Sequence, residues 1–295
     1  MPKWERPDPN KPLPSFVISQ MRKDLILSED ENHLISILKL VRDSLKSSCA
    51  ESKRLRKEAF KLYFNHHDLF SISTPLLFSD SGEPASGVDG SGSKNQPISN
   101  IDFIDRITMI NSDRLNYQFA YLVNVIACEP LGLTYLGQKK QILKSAIWPL
   151  VNQTLHGSKP NFDKLAIAIF QKFSLKKRFC IQMLRFGIVD WLLSILSSIR
   201  TDKQQYELQY GLALLMNLTL HKYGQKLFSE AKIDVLHVLK SHFETNSELQ
   251  LETCINGSIY CLMSIPHMKK KARSLGLRQL LEGRLATCQS EQVRT

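Results

Sequence analysis

The side chains with the clearest chemical potential in this sequence are lysines and arginines, and the chemistry that they favour is electrostatic binding. They recur in clusters separated by roughly one structural repeat: Lys176, Lys177, Arg178, Lys222, Lys269, Lys270 and Lys271. Equivalent positions in stacked repeats fall on one line. The clusters therefore predict a basic ridge that could dock acidic protein tails, including the glutamate-rich tails of tubulin. Charge placed in turns for solubility alone is the other explanation.

Residue types that perform catalysis do not occur here in a productive pattern. The sequence contains no glycine-rich phosphate loop, no Ser-His-Asp set and no paired carboxylates. His237 and His242 are five residues apart and so do not share a helix face, and the adjacent His66 and His67 would make a poor chelate. We therefore predict that the chain is not an enzyme and has no cofactor-binding or metal site.

Composition is that of a globular protein with a basic excess. The 295 residues are 43% hydrophobic and 23% charged, with a net charge of +11. A basic excess favours anionic partners, so a helical-repeat protein that binds nucleic acid is the alternative function. Such a protein would need aromatic residues among its basic ones, and the ridge has few, which makes nucleic acid an unlikely partner. A basic helix face within residues 51–65 could instead contact a membrane surface, or could simply be solvated.

Cysteine usage and hydropathy bear on the cellular compartment. No stretch of about 18 apolar residues is present, which predicts no membrane span, and the N-terminus lacks the pattern of a signal peptide. The scattered cysteines are expected to be buried free thiols in a reducing cytosol. They are Cys49, Cys128, Cys180, Cys254, Cys261 and Cys288.

One motif recurs four times and indicates the fold. Each copy opens on a small residue and continues with a mostly apolar stripe, and the small residues are 48, 45 and 45 positions apart: Ala120, Ala168, Ala213 and Ser258. A period of about 40–47 residues is typical of HEAT and armadillo arrays, whose units must stack to bury their apolar faces. We predict an all-α, armadillo-type α-solenoid. The four small residues are predicted at close helix contacts, with the residues two, three and five positions later in the core.

Changes in composition suggest five segments. The predicted order is a disordered proline-rich tail at 1–15, an N-terminal helical repeat region at 16–78, a disordered insertion at 79–100, an armadillo solenoid at 101–286 and a flexible tail at 287–295. The insertion is rich in Gly, Ser and Pro and has few apolar residues, so it cannot offset the entropy of ordering. Its role is open.

Many armadillo proteins carry a ladder of asparagines that grips an extended peptide. The corresponding places in this sequence are Asn124, Lys172, Asn217 and Leu262. Only two of these four are asparagine, so the ladder is broken. The sequence therefore argues against binding of an extended basic peptide, and it favours local helix bonding by the two asparagines.

Several segments resemble one family, the LisH-domain, armadillo-repeat ciliary basal-body proteins called armadillo repeat-containing protein nine. The resembling segments are 171–177, 187–192, 207–218 and 256–266, the last continuing through 271–276. Leu-Leu-Met-Asn-Leu at 214–218 and Gly-Ser-Ile-Tyr at 257–260 are the most specific blocks. With a weaker match before residue 70, the resemblance covers about residues 30–285.

The resemblance implies a cytoplasmic, cytoskeletal adaptor at the centriole and ciliary basal body. Its partners would be basal-body proteins, including microtubule-associated proteins or proteins with acidic tails, and its role would be to support cilium assembly, stability and signalling. The LisH segment and coiled coil expected upstream are absent from this sequence, as is the acidic C-terminal extension of longer relatives. We therefore expect a short form or a fragment. The direct partner and the oligomeric state stay open.

Overall fold

The computed structural model describes residues 13–73, 102–110, 112–140, 142–148, 151, 160–200, 204–246 and 248–287. The chain divides into two compact units, Met1–Leu165 and Ala166–Thr295. Helices account for the regular structure throughout the described ranges, which confirms the predicted all-α class. The predicted solenoid at 101–286 is thus divided between the two units.

The first unit combines helices from both sides of the predicted insertion. Its elements are α1 (Ser15–Leu27), α2 (Glu31–Glu51), α3 (Lys53–Phe60), a π-helix (Lys61–His66), α4 (Phe103–Met109), α5 (Asp113–Ile126), α6 (Pro130–Leu136) and a second π-helix (Leu143–Ile147). Helix α2 packs against α5, and α1 packs against α4. Asp30 caps α2 by accepting hydrogen bonds from the Asn32 and His33 amides, which satisfies donors that the first helical turn leaves unpaired.

A buried aromatic cluster and a polar network hold the first unit together. Phe70 contacts the rings of Phe103, Phe119 and Tyr135. The Phe103 amide donates to the Phe70 carbonyl at 3.1 Å, so the two ends of the chain segment between them are fixed side by side. The Tyr135 hydroxyl donates to Asp68 Oδ1 at 2.8 Å, and burial together with the Asp68 charge raises the Tyr135 pKa well above its ordinary value.

The second unit is built from triplets of helices in the order long, short, intermediate. Its helices are α7 (Pro160–Ser174, within which the unit boundary falls), α8 (Lys177–Arg185), α9 (Ile188–Ser198), α10 (Gln205–Thr219), α11 (Lys222–Ser229), α12 (Val235–Thr245), α13 (Leu249–Leu262), α14 (Pro266–Ser274) and α15 (Leu277–Thr287). Gly187 and Gly276 adopt positive φ of 89° and 70° immediately before α9 and α15. Glycine adopts this conformation without steric cost, so each allows a sharp turn between two helices.

Packing in the second unit is layered, as in an armadillo solenoid. Long helix α10 packs against long helix α13, short helix α8 against α11, and intermediate helix α9 against α12. Leucines from consecutive triplets fill the space between the layers, and Leu192, Leu196, Leu212, Leu215 and Leu239 are all fully buried. Burial of such side chains contributes about 1.5–3 kcal/mol each relative to exposure.

One predicted boundary differs from the structure. Leu13 is buried and its amide donates to the Tyr63 hydroxyl, and α1 begins at Ser15, so the chain packs from residue 13 rather than 16. Three predicted segments lie wholly or partly outside the described residues: positions 1–12 of the tail, the insertion at 79–100 and the last eight residues. Within the described ranges no single helix is long and apolar enough to cross a membrane. Helices α8 and α9 taken together have sufficient length and apolar composition, but they meet at an angle of 88°.

Candidate protein-binding edge

The turn from each long helix to the next short helix repeats in sequence and in structure. Ser174-Leu-Lys-Lys follows this pattern at the end of α7, and Thr219-Leu-His-Lys follows it at the end of α10, 45 residues later. The Ser174 hydroxyl donates back to the Gln171 carbonyl, and the Thr219 hydroxyl donates back to the Met216 carbonyl. These bonds satisfy carbonyls that a helix end leaves unpaired, so the hydroxyl residue terminates the helix in the same way in both repeats.

Side-chain hydrogen bonds tie successive turns to one another. Asn217 donates from Nδ2 to Ser174 Oγ at 2.8 Å, which links α10 to the end of α7. Gln225 donates to the Thr219 carbonyl at 2.9 Å and accepts from the Ser264 hydroxyl at 2.8 Å. The three turns are therefore neighbours along one edge of the second unit. Asn217 thus bonds to a residue 43 positions away in the preceding repeat, rather than within its own helix as the sequence predicted.

Exposed cations occupy the first two of these turns. Lys176 precedes α8, Lys177 begins α8 and Lys222 begins α11, and all three are exposed. Burial, and next the charge of Lys177, lowers the pKa of His221. Helix α8 packs against α11, so the first two turns are neighbours. Arg178 is also exposed, with its guanidinium 4.5 Å from the centre of the Phe179 ring. The basic residues of the first two turns thus lie near one another.

The third basic cluster lies elsewhere. Lys269, Lys270 and Lys271 lie within α14, whereas the residues at the start of that helix are Ile265 and Pro266. All three lysines are exposed, and Lys271 Nζ is 3.0 Å from Asp234 Oδ2 at the start of α12. They therefore do not stand at positions equivalent to Lys177 and Lys222, so the prediction that the third cluster continues the same line of equivalent positions is wrong.

Apolar residues that the sequence alone did not indicate are exposed beside the cations. Leu175 is 65% exposed and Leu220 is 61% exposed, each being the first residue after a long helix. Tyr223 is a further exposed residue in the first turn of α11. The sequence signal was the repeated Ser/Thr-Leu-Lys/His-Lys tetrapeptide. We call this surface the turn edge, and it comprises Leu175, Lys176, Lys177, Leu220, His221, Lys222 and Tyr223.

The four small residues have different environments. Ala120, Ala168 and Ser258 are fully buried, but Ala213 is only half-buried. Its neighbour Gly211 makes the close contact instead, because a Cβ there would lie 2.9 Å from Leu196 Cδ2. The close contact at Ala213 stays a prediction.

The fourth copy of the motif lies one residue out of the predicted register. The long helices begin at Pro160, Gln205 and Leu249, so their spacing is 45 and then 44 residues, and the short helices that follow them have the same spacing. The residue equivalent to Ala213 is therefore Gly257. The predicted core position Tyr260 is accordingly 82% exposed, and the close approach of α13 to α10 occurs at Gly257, where a Cβ would lie 3.0 Å from Met216 Sδ.

A small cavity of about 210 Å³ lies in the last triplet, between α12, α13 and α15. Arg284 lines it, lies 3.5 Å from Glu252, and donates to the carbonyls of Phe243 and Asn246. A cation at a helix C-terminus is stabilising, so Arg284 acts as a cap for α12.

Other reactive groups show no assembled site. In the described parts of the chain, no group of three or more His, Cys, Asp and Glu residues could hold a metal ion. Burial raises the pKa of the Cys180 thiol to about 11 and also raises that of Cys254, which makes both thiols unreactive. Cys128 is exposed, so the expectation of a buried thiol is wrong there.

Comparison with known proteins finds similarity to one family, chiefly in the second unit. Residues 183–295 match the family model described as LisH domain-containing protein ARMC9, ARM repeats. The LisH domain-containing protein ARMC9 of Rattus norvegicus is 29% identical over 189 residues, covering 62% of this chain and 24% of the relative. The protein of the same name from Bos taurus is 25% identical over 284 residues, covering 96% of this chain and 37% of the relative.

The comparisons confirm the family resemblance indicated by the sequence motifs. The chain spans well under half the length of the curated relatives that it matches. Among solved structures, the designed armadillo repeat protein YIII(Dq)4CqI aligns over 83% of this chain and 99% of its own, with 12% identity and a TM-score of 0.48.

Proposed function

We propose that this chain, which carries the armadillo repeats of the LisH domain-containing ARMC9 family, is a non-catalytic adaptor at the centriole and ciliary basal body. The family and the layered helices support a helical-repeat scaffold for protein interaction. The proposal adds that the turn edge docks acidic chains of cytoskeletal partners, and that this docking supports cilium assembly, stability and signalling.

The observation that carries the proposal is a pair of basic turns on consecutive repeats. Segments 171–179 and 216–226 contain no Asp or Glu. Helix α8 packs against α11, and Lys177 and Lys222 are the first residues of these two neighbouring helices. Single exposed pairs are worth at most about 1 kcal/mol, so binding requires that several cations act on one acidic segment.

The test compares two charge reversals of the same size. The double variant Lys177→Glu and Lys222→Glu alters the turn edge, whereas Lys269→Glu and Lys270→Glu alters exposed cations within α14. Co-sedimentation with microtubules would be measured with the acidic tubulin tails intact or removed by protease. Recruitment of each variant to basal bodies would be measured in ciliated cells.

We expect the first double variant to lose tail-dependent binding and recruitment while the second retains both. Binding should also weaken steeply as salt rises, because the Debye length is about 8 Å at physiological ionic strength. Parent-like binding and recruitment by both variants would contradict the proposal. Equal losses in both variants would show that net charge matters rather than the turn edge.

A further inference from the structure

The exposed leucines of the turn edge are not explained by attraction to a purely acidic chain. Leu175 and Leu220 are 65% and 61% exposed. One exposed leucine is ordinary on a protein surface. Here two occupy the same position in consecutive repeats, and each is followed two residues later by an exposed lysine, Lys177 or Lys222. A repeated pairing of apolar and basic side chains is suited to a ligand that is itself both apolar and acidic.

The spacing of the repeats indicates the conformation of that ligand. Packed helices lie about 8–10 Å apart, so equivalent residues of consecutive repeats are separated by a similar distance. An α-helix rises about 1.5 Å per residue, so residues seven apart on one face are about 10.5 Å apart. In an extended strand, residues three apart span a comparable length but point to opposite faces. A helix therefore matches the spacing of Leu175 and Leu220 better than a strand does.

Charge complementarity supplies the second requirement. The turns that carry the leucines contain Lys176, Lys177 and Lys222 and no acidic residue within 171–179 or 216–226. A helix that places leucines on a stripe with glutamates on both sides would set its carboxylates near these ammonium groups. The exposed ring of Tyr223 extends the apolar part of the surface.

We propose that the turn edge binds an acidic amphipathic helix of a partner protein. Two leucine-sized side chains seven residues apart on that helix cover Leu175 and Leu220, while flanking carboxylates pair with Lys177 and Lys222. This inference rests on the proposed function, which requires only that the edge attract acidic chains, and it specifies which acidic chains bind.

Three synthetic peptides of equal length and net charge distinguish these possibilities. The first is a glutamate-rich helix with leucines seven residues apart. The second has the same composition with the leucines moved so that they no longer share a face. The third replaces the leucines with alanine. Binding to the full chain would be measured by fluorescence anisotropy at low and at physiological salt.

Protein variants then assign the contacts. Leu175→Ser with Leu220→Ser removes the apolar part of the edge, and Lys177→Glu with Lys222→Glu reverses its charge. Leu27→Ser with Leu249→Ser is the matched control, because both leucines are 46% exposed and lie outside the turn edge. Circular dichroism of each variant checks that the helices persist.

We expect the first peptide to bind most tightly and to retain part of its affinity as salt rises. The Leu175 and Leu220 double variant should bind it about tenfold more weakly, which corresponds to partial burial of two leucine side chains. The charge reversal should abolish binding, and the control variant should bind like the parent.

Two results would overturn the inference. The first is equal binding of the three peptides, or a loss of binding in the Lys177 and Lys222 variant with none in the Leu175 and Leu220 variant. Either outcome would show that the turn edge binds by charge alone. The proposed function would then stand, but the proposal of an amphipathic helix as the ligand would not. If the charge reversal also left peptide binding and microtubule co-sedimentation unchanged, the proposed function would fail with it.

Discussion

Gly224 offers a stringent test of how the short helices pack. It is the third residue of α11, and a Cβ added there would lie 2.1 Å from the Leu218 carbonyl oxygen and 3.3 Å from Leu184 Cδ1. Ordinary contacts begin near 3.4 Å, so in Gly224→Ala the backbone carbonyl must move by about 1.3 Å. That carbonyl accepts a hydrogen bond from the His221 amide, which the movement would break.

The expected cost follows from these two effects. Overpacking costs about 1–3 kcal/mol, and a lost hydrogen bond costs about 1 kcal/mol. Alanine is more favourable than glycine within a helix by about 0.5–1 kcal/mol, which offsets part of this loss of stability. We therefore expect Gly224→Ala to lower the free energy of unfolding by about 2 kcal/mol.

Gly283 provides the matched control, because the same substitution should there have the opposite sign. It lies within α15, and a Cβ added to it would meet nothing within 4 Å. Gly283→Ala should stabilise the chain by about 0.5–1 kcal/mol. Urea unfolding followed by circular dichroism would compare both variants with the parent. Shifts of the two midpoints in the same direction, with unchanged slopes, would refute the proposed close contact.

Three further predictions follow from burial, charge and chain closure. Ala168→Trp should destabilise the chain by at least about 1–3 kcal/mol, because Ala168 is fully buried, whereas Ala213→Trp should cost far less in the same urea assay; equal costs would contradict the difference in their burial. Lys177→Glu should raise the pKa of His221 in an NMR titration, since the Lys177 charge helps to lower it, and an unchanged pKa would mean that the two residues are not neighbours. Deletion of 82–98 should leave helical content and thermal midpoint nearly unchanged, because closure entropy depends only logarithmically on loop length and the segment's flanks are already joined; a large loss of stability would show that these residues pack.

The fold class could be predicted because its signals are local. Helix breakers recur with the repeat, and Gly187 and Gly276 adopt positive φ immediately before α9 and α15. Pro130 and Pro266 each occupy the first residue of a short helix, where the missing amide proton costs nothing. The repeat period and the helix-breaking residues were therefore sufficient to predict an all-α repeat protein.

The register of the last repeat could not be predicted by residue type alone. Ser258 was aligned with the alanines because it is small and begins an apolar stripe. The helix phase is instead determined by the contact of Gly257 with Met216, which joins residues of different repeats. A one-residue slip turns a helix by about 100°, and this explains why Tyr260 is exposed rather than buried.

The buried network of the first unit had no sequence signal either. Asp68 and Ser71 adopt positive φ of 43° and 55°, a conformation uncommon for residues other than glycine. Arg22 donates to the Ser71 hydroxyl and Tyr135 donates to Asp68, from positions 49 and 67 residues away. Such pairings depend on the tertiary fold, because no local pattern brings these residues together.

The same limit applies to the turn edge, and it bears on how the edge could function. Lysines are visible in a sequence because they are almost always exposed, whereas a leucine gives no indication of whether it faces the core or solvent. The sequence therefore revealed Lys177 and Lys222 but not the role of Leu175 and Leu220. Charge alone would attract any acidic chain and would fail as salt rises. Exposed leucines in register with that charge add a contact that salt does not screen, so discrimination among acidic partners would depend on the residues that only the structure identifies.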